Sequence, residues 1–535
     1  MARAGTLVWS RTRPDPDRRT ETRLRRHAVW LLVVVCYVYP FPYFKKINNP
    51  NENVRIWATR AIAEFHQLDI RPVTDQWGPV DDMAKAGDRL VSSKAPGATW
   101  LGVPVYAAYR AVARALDLRP PSEATATRVL RLGGVAAPMA AFLFFFARWV
   151  ERETGSARAR DLLVLGLGVG SPIYPYGVIF AGHVHGAALA FVSFALLARG
   201  ARGSRGPPRG TRPATFAAGL CAGFAVVFEY QLAVVLLIFG GWTLARGGRR
   251  AVWFTAGALP AMVLLAVYHT VLFGRPWAFP YGHLANAVYA EEHHGHGFFG
   301  LVLPEPTACW SLLFSVRRGL FAFSPVLALG LWGTVRSIGR ARRGPALTVL
   351  VTTVVMFAFQ AGMTNWRAGW SVGPRYIVVL APLLAGAAAW CWRWPRYAAL
   401  APIAGGLVAA SVFLSGLSGV MFPHYPESYS NPVFDLTVPL LLEGHAPYNI
   451  GRGLGLAGAW SLAPLAVVVG TAFLLGMGVF VRSPARPPLR RTIGGLALSA
   501  AVAGGFLFFL SLRFRHQEDE TGANGYIESI WEPNP

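Results

Sequence analysis

Acidic side chains are scarce in this chain: 27 Asp and Glu stand against 51 Lys and Arg, a formal net charge of +24. Charge of either sign is thin, at 15% of 535 residues, whereas 53% are hydrophobic. A soluble domain cannot clothe its surface with so few charges, which excludes an ordinary soluble globular class. Cysteine is nearly missing as well. Cys36, Cys221, Cys309 and Cys391 are scattered, three of them in apolar stretches, so neither a disulfide framework nor a CxxC metal site follows. The arginine excess does not indicate nucleic acid, because it collects in short connectors between apolar runs instead of on one patch. Retention of positive charge on the cytoplasmic side of a membrane explains that distribution.

What the chain does have is long hydrophobic runs. Val29–Tyr37, Val135–Phe146, Ala187–Leu197, Ala256–Val271, Thr348–Phe359 and Leu465–Val481 lie in stretches of roughly 20 apolar residues, the length of a bilayer-spanning helix. The fold class is an all-α polytopic membrane protein, with about 13 transmembrane helices and 14 possible. Residues 1–26 read as a disordered, basic cytoplasmic tail, 27–456 as the main transmembrane module, 457–511 as C-terminal transmembrane helices and 512–535 as a polar tail. With the N-terminus cytoplasmic and the basic connectors held inside, loops 45–97, 275–318, 362–375 and 423–456 fall outside the cytoplasm, in a cell (inner or plasma) membrane protein. One parity problem remains. Apolar stretches near 98–116, 128–148, 160–176 and 183–199 would leave the basic connector 198–212 outside, so either one of them does not fully cross or the Arg148–Arg160 connector breaks the charge rule. The sequence does not decide between them, and the Pro172–Pro175 break is compatible with a kinked or partial segment.

The polar stretch behind the first span is the natural place for chemistry, since it is trapped on a membrane face. Asn49 as N-cap, Pro50 at the first position and Glu52 three residues after the cap predict a helix start. Val54, Trp57, Ala58, Ala61, Ile62 and Phe65 give that helix one apolar face, suited to lying on the membrane surface. A second short helix is predicted over Pro79–Ala86, stopped by Gly87, before Lys94-Ala95-Pro96-Gly97 turns the chain back.

One polar loop after the first span, holding an acid and a Lys-Ala-Pro-Gly turn, resembles the membrane-embedded C-type (GT-C) glycosyltransferases, which include protein O-mannosyltransferases and aminoarabinose transferases. Tyr174–His183 (YPYGVIFAGH), Phe228–Tyr230 (FEY), Arg317–Pro325 (RRGLFAFSP) and Trp370–Tyr376 (WSVGPRY) are similar to bacterial members of that superfamily. The family's loop commonly opens on Asp-Glu, the first acid serving as catalytic base; here Asn51 stands at that place and Glu52 follows. The resemblance implies transfer of a sugar from a polyprenyl-phosphate donor to an extracytoplasmic acceptor (protein, lipid or glycan) by inverting direct displacement, in contact with membrane lipids.

Such a reaction needs one carboxylate to take the acceptor's proton, and cations for the phosphate that leaves. Glu52 and Asp82 are the candidate bases, with Asp81 beside the second; Asp69 and Asp75 read as turn acids. Lys94, Arg375, Arg317 and Arg318 are the candidate phosphate ligands, because cations outside the positive-inside connectors ask for an anionic partner. Arg55, one helical step from Glu52, suits an ion pair or a substrate contact. Glu229, Tyr230 and His183 are further substrate-binding candidates, with a buried structural pair and helix-end hydrogen bonding as the plainer roles of Glu229 and His183. Glu291 to His296 packs two Glu and three His into six residues, but matches no helix-borne zinc spacing, so no metal or other cofactor is expected. A transporter or flippase of a lipid-linked or anionic substrate, or a non-catalytic envelope-assembly protein, are the alternatives. The enzyme requires Glu52 or Asp82, Lys94 and Arg375 to converge on one cavity.

Overall fold

The computed structural model describes residues 23–45, 49–199, 211–294, 297, 300–339, 342–393, 401–479, 489–512 and 529–530. Most of the expected N-terminal tail and of the polar C-terminal tail, like the centre of the connector 198–212, lies outside them. Among the described residues the regular structure is helical apart from one two-stranded sheet, with irregular loops between the helices. Six helices are long and apolar enough to cross a membrane: 123–154, 248–273, 343–361, 401–421, 458–477 and 490–511. Shorter apolar helices at 183–199, 212–228, 230–245 and 326–338 pack among them. This is a polytopic helical membrane protein.

The bundle has two chemically distinct ends. At one, the arginines that start the first helix, Arg23–Val38, meet acids of other helices: Arg25 pairs with Asp161 at 2.8 Å and Arg26 with Glu151 at 2.9 Å. Arg342 pairs with Glu153 at 2.6 Å at this end too. At the opposite end the long polar loops are stitched together by single backbone bridges, Pro40 to Asn449, Ala84 to Leu284 and Leu301 to Met363.

Of the four apolar stretches behind the first polar loop, one packs along that loop's helix. Helix Gly97–Ala115 packs side by side with the first-loop helix Pro50–Phe65. Thr99 lies 3.5 Å from the Arg55 carbonyl, and further along both Tyr106 and Arg110 reach Glu64, at 2.6 and 3.5 Å. The next helix begins at the same end, where Glu123 hydrogen-bonds Tyr43. Helix 97–115 therefore stays with the loops. The segment around Pro172 does run between the ends: Asp161 holds Arg25, and Tyr176 donates to the Val372 carbonyl at 3.0 Å. Helix 97–115 carries Arg110 and Arg114, and Arg110 is occupied by Glu64 of the first-loop helix.

The predicted helix over Pro79–Ala86 is instead a β-hairpin, Met83–Ala86 paired antiparallel with Arg89–Ser92. Gly87 at φ +60° and Asp88 form its two-residue turn, so the glycine taken for a helix stop is a hairpin turn residue. Ala84 and Ala86 face inward while Lys85 is exposed, an alternation of period two that four residues are too few to reveal against a helix.

Candidate functional site

A cavity of about 360 Å³ opens among the polar loops. The hairpin supplies its first wall. Pairing of Met83 with Ser92 sets Asp82 opposite Ser93, whose N–H donates to the Asp82 carbonyl at 3.1 Å. Two residues twelve apart in sequence thereby become neighbours: Lys94 Nζ donates to Asp82 Oδ1 at 2.8 Å, both side chains nearly buried. The Lys94 ammonium also lies over the Tyr281 ring, 5.4 Å from its centroid. Asp81, next along, lines the cavity from an exposed position.

The deep wall comes from the first-loop helix and two breaks between apolar helices. Arg55 is 1% exposed; it donates to Glu229 Oε1 at 3.0 Å and to both the carbonyl and side-chain oxygens of Asn51. Glu229 sits in the turn between helices 212–228 and 230–245, and also meets His183 Nδ1 at 3.3 Å. Burial pushes its carboxyl up, against the pull of Arg55 and the more distant Arg375 and Lys94. Gly182 makes this junction possible, since a Cβ there would stand 2.3 Å from the Phe228 carbonyl oxygen. His183 Nε2 is buried without a hydrogen-bond partner among the described residues. Arg375, beside Tyr376, closes a third side, and Tyr176 lies within its electrostatic reach.

Glu52, the leading sequence candidate for the base, belongs elsewhere. Arg131 grips it in a bidentate pair, Nε to Oε1 and Nη2 to Oε2 at 2.7 Å each, and the Phe180 N–H donates to Oε1 at 2.6 Å. Burial raises the Glu52 carboxyl, but Arg131 outweighs it and holds it below the usual carboxylate range. Both oxygens are thus spent on holding the non-helical turn around Phe180. Nor does Glu52 close a capping box, since Asn49 makes no side-chain cap bond; its amide instead lies 3.3 Å from the His424 ring. Of the two roles open to Arg55, the ion pair with Glu52 does not form: Arg55 pairs with Glu229, and Arg131 with Glu52.

Asp81, Asp82, Arg55, Lys94, His183, Glu229 and Arg375 therefore line one cavity, whereas Glu52, Tyr230, Arg317 and Arg318 are not among its lining residues. Tyr230 donates to or accepts from His269 Nε2 at 3.1 Å. Asp69, a turn acid as expected, accepts from the Arg71 side chain and from the Leu90 N–H at 3.3 Å. Sequence reasoning missed Glu292, His293, Asn365 and His424 in the lining. The acidic and histidine-rich stretch was noticed only as a metal candidate; Glu292 accepts from Asn365 Nδ2 at 2.7 Å and joins two loops. Among the described residues no group of three His, Cys, Asp or Glu is placed to hold a metal ion. His424 had no signal in the sequence: burial, opposed by Glu52, pushes its imidazole down to about 4.

Fold and site define a polytopic helical membrane protein with a charged cavity at the end of its bundle where the polar loops gather. No family model and no curated protein matches the chain. It is similar to the crystal structure of ArnT from Cupriavidus metallidurans in the apo state, at 17% identity over 90% of this chain and 77% of that one, with a TM-score of 0.47. The same protein bound to undecaprenyl phosphate aligns at 16% identity, with the same coverage and a TM-score of 0.46. The oligosaccharyltransferase of Archaeoglobus fulgidus in the apo form aligns at 12% identity, over 96% of this chain and 60% of that one, with a TM-score of 0.43.

Proposed function

We propose that this chain is an integral-membrane glycosyltransferase of the C-type kind, which transfers a sugar from a polyprenyl-phosphate donor to an acceptor on the extracytoplasmic side of the inner membrane. One observation carries the proposal: the Asp82 carboxylate stands 2.8 Å from the Lys94 ammonium on the wall of a cavity also lined by Arg55 and Arg375. A carboxylate beside clustered cations is what displacement of a phosphate leaving group requires.

In this reaction the acceptor hydroxyl oxygen attacks the anomeric carbon while the bond from that carbon to the phosphate oxygen breaks. The electron pair leaves with the polyprenyl phosphate, and Asp82 takes the hydroxyl proton. Lys94 and Arg375 hold the phosphate and stabilise the charge that grows on it. Arg55, already tied to Glu229, fixes the floor and adds positive potential. An incoming phosphate competes with Asp82 for Lys94, so donor binding frees the carboxylate to act. Trp370, Tyr281 and Tyr289 offer ring faces for the sugar. Loops 45–97, 275–318 and 362–375 are assigned to the extracytoplasmic side with the N-terminus in the cytoplasm, as the basic connectors require.

The test uses purified protein in lipid nanodiscs with radiolabelled polyprenyl-phosphate sugars. Asp82→Asn lowers transfer by about 10²- to 10⁴-fold, the range for loss of a positioned base, with folded protein retained. Transfer by Asp82→Asn at the wild-type rate removes Asp82 as the base.

A further inference from the structure

Arg317 and Arg318 do not line the cavity, yet they are not dispersed surface charge. Arg318 is 2% exposed and passes behind the segment 367–371, donating to the Arg367 carbonyl and, at 2.6 Å, to Ser371 Oγ. The other face of that segment, Ala368 to Trp370, lines the donor cavity. The third arginine of the group, Arg367, is exposed and stacks on Trp366 at 5.1 Å. Against three guanidinium groups the described residues set one carboxylate, Glu427, whose nearest approach to Arg318 is 3.7 Å, beyond hydrogen-bond length. The Nε atoms of Arg317 and Arg318 are both buried without a hydrogen-bond partner. Burial beside so little negative charge pushes the Arg318 guanidinium down to about 10 and lowers Arg317 as well, with Arg367 adding repulsion. A buried guanidinium, Arg318, beside a half-buried one, Arg317, each with an unsatisfied Nε, is costly unless an anion completes the group.

We propose that Arg317 and Arg367, braced by Arg318, form a second anion subsite that takes a phosphate or carboxylate group carried by the acceptor. The assignment to an acceptor rests on the transferase proposal; the anion subsite itself does not. Lys94 and Arg375 serve the donor's phosphate in the cavity, and the guanidinium groups of Arg317 and Arg367, close enough to repel one another, offer donors for a second anion. An acceptor anchored there by its charge presents its hydroxyl across segment 367–371 to the sugar.

The experiment titrates inorganic phosphate, by calorimetry, into full-length protein in nanodiscs of phosphatidylcholine. Wild type binds phosphate at two sites; Arg317→Gln weakens one by about tenfold or more and keeps the other, while Lys94→Gln does the reverse. Arg367→Gln, at an exposed position, gives the same loss as Arg317→Gln and covers the case in which the latter fails to fold. Titrations of Arg317→Gln and Arg367→Gln that match wild type overturn the subsite. Repeating the titration with phosphatidic acid in the disc separates the two sources of phosphate. Undiminished binding supports an acceptor group, and competition by the lipid overturns that assignment in favour of a headgroup. Because the readout is binding, failure of sugar transfer leaves this result standing, and the converse.

Discussion

At the scale of single residues, two carboxylates that look alike in sequence do different work. Glu52 is gripped by Arg131 and the Phe180 N–H, so Glu52→Gln leaves a buried guanidinium uncompensated. Loss of one partner of such a pair costs about 3–5 kcal/mol, so this variant is expected to lower the thermal unfolding midpoint sharply. Asp82→Asn unpairs the nearly buried Lys94 and lowers the midpoint too, but less, because that pair faces an open cavity, while transfer falls by about 10²- to 10⁴-fold. Parallel unfolding and transfer measurements on the two variants check the division. His424 supplies a pH dependence. Its folded value is about 4 against an ordinary 6.5, so between those values only the unfolded chain takes up the proton. The stability it contributes is whole above about pH 6.5 and is lost as pH falls toward about 4. Unfolding midpoints followed from pH 7.5 down to about 4 should fall, and His424→Gln should flatten that slope. Asp82 and Lys94 were legible in the sequence as an acid and a cation in one polar loop, but their contact was not. Nothing in a spacing of twelve residues announces a hairpin.

Among the elements, the hairpin is the piece on which the proposed site turns. It converts the order of residues 82–94 into an ion pair, and Leu284 bridges its edge at Ala84 to bring the 280–294 segment, with Tyr281, Tyr289, Glu292 and His293, to the cavity. Gly87 at φ +60° sets its turn, and a β-branched side chain there costs about 1–2 kcal/mol of local strain. Gly87→Val is therefore expected to reduce transfer by disturbing the Asp82–Lys94 pair, with little change in global unfolding, because the turn is exposed and adds little to the core. Gly182→Leu acts differently. A side chain at that point collides with the Phe228 backbone and the Glu229 carboxylate, so both the fold and the cavity floor are lost, which expression and size-exclusion profiles would register. The first-loop helix was readable from its Asn-Pro start and its apolar face, whereas four-residue strands carry too short a period to be told from a helical turn.

For the molecule as a whole, the decisive feature is the separation of charge between two ends. Arginines on Arg23–Val38 and at 342 pair with buried acids at one end, and the polar loops join at the other. If these ends face opposite sides of a membrane, as proposed, an impermeant maleimide applied to intact cells labels Asp88→Cys at the hairpin tip but not Arg249→Cys until the membrane is opened. Serine at Cys221 and Cys309, the two partly accessible native thiols, removes the background. Labelling of both from outside would overturn the orientation and, with it, the extracytoplasmic acceptor.

The sequence by itself determined the membrane class, the position of the long apolar helices and the polar character of the loop behind the first of them. Each of these rests on composition or local periodicity, which hydrocarbon and water read residue by residue. Only the tertiary structure decided that helix 97–115 stays with the loops, that Arg131 claims Glu52, and that Asp82, Lys94 and Arg375 share one cavity. Those outcomes are choices of partner between residues far apart in the chain, made by steric fit and by the cost of leaving a buried charge alone, and no local pattern encodes them.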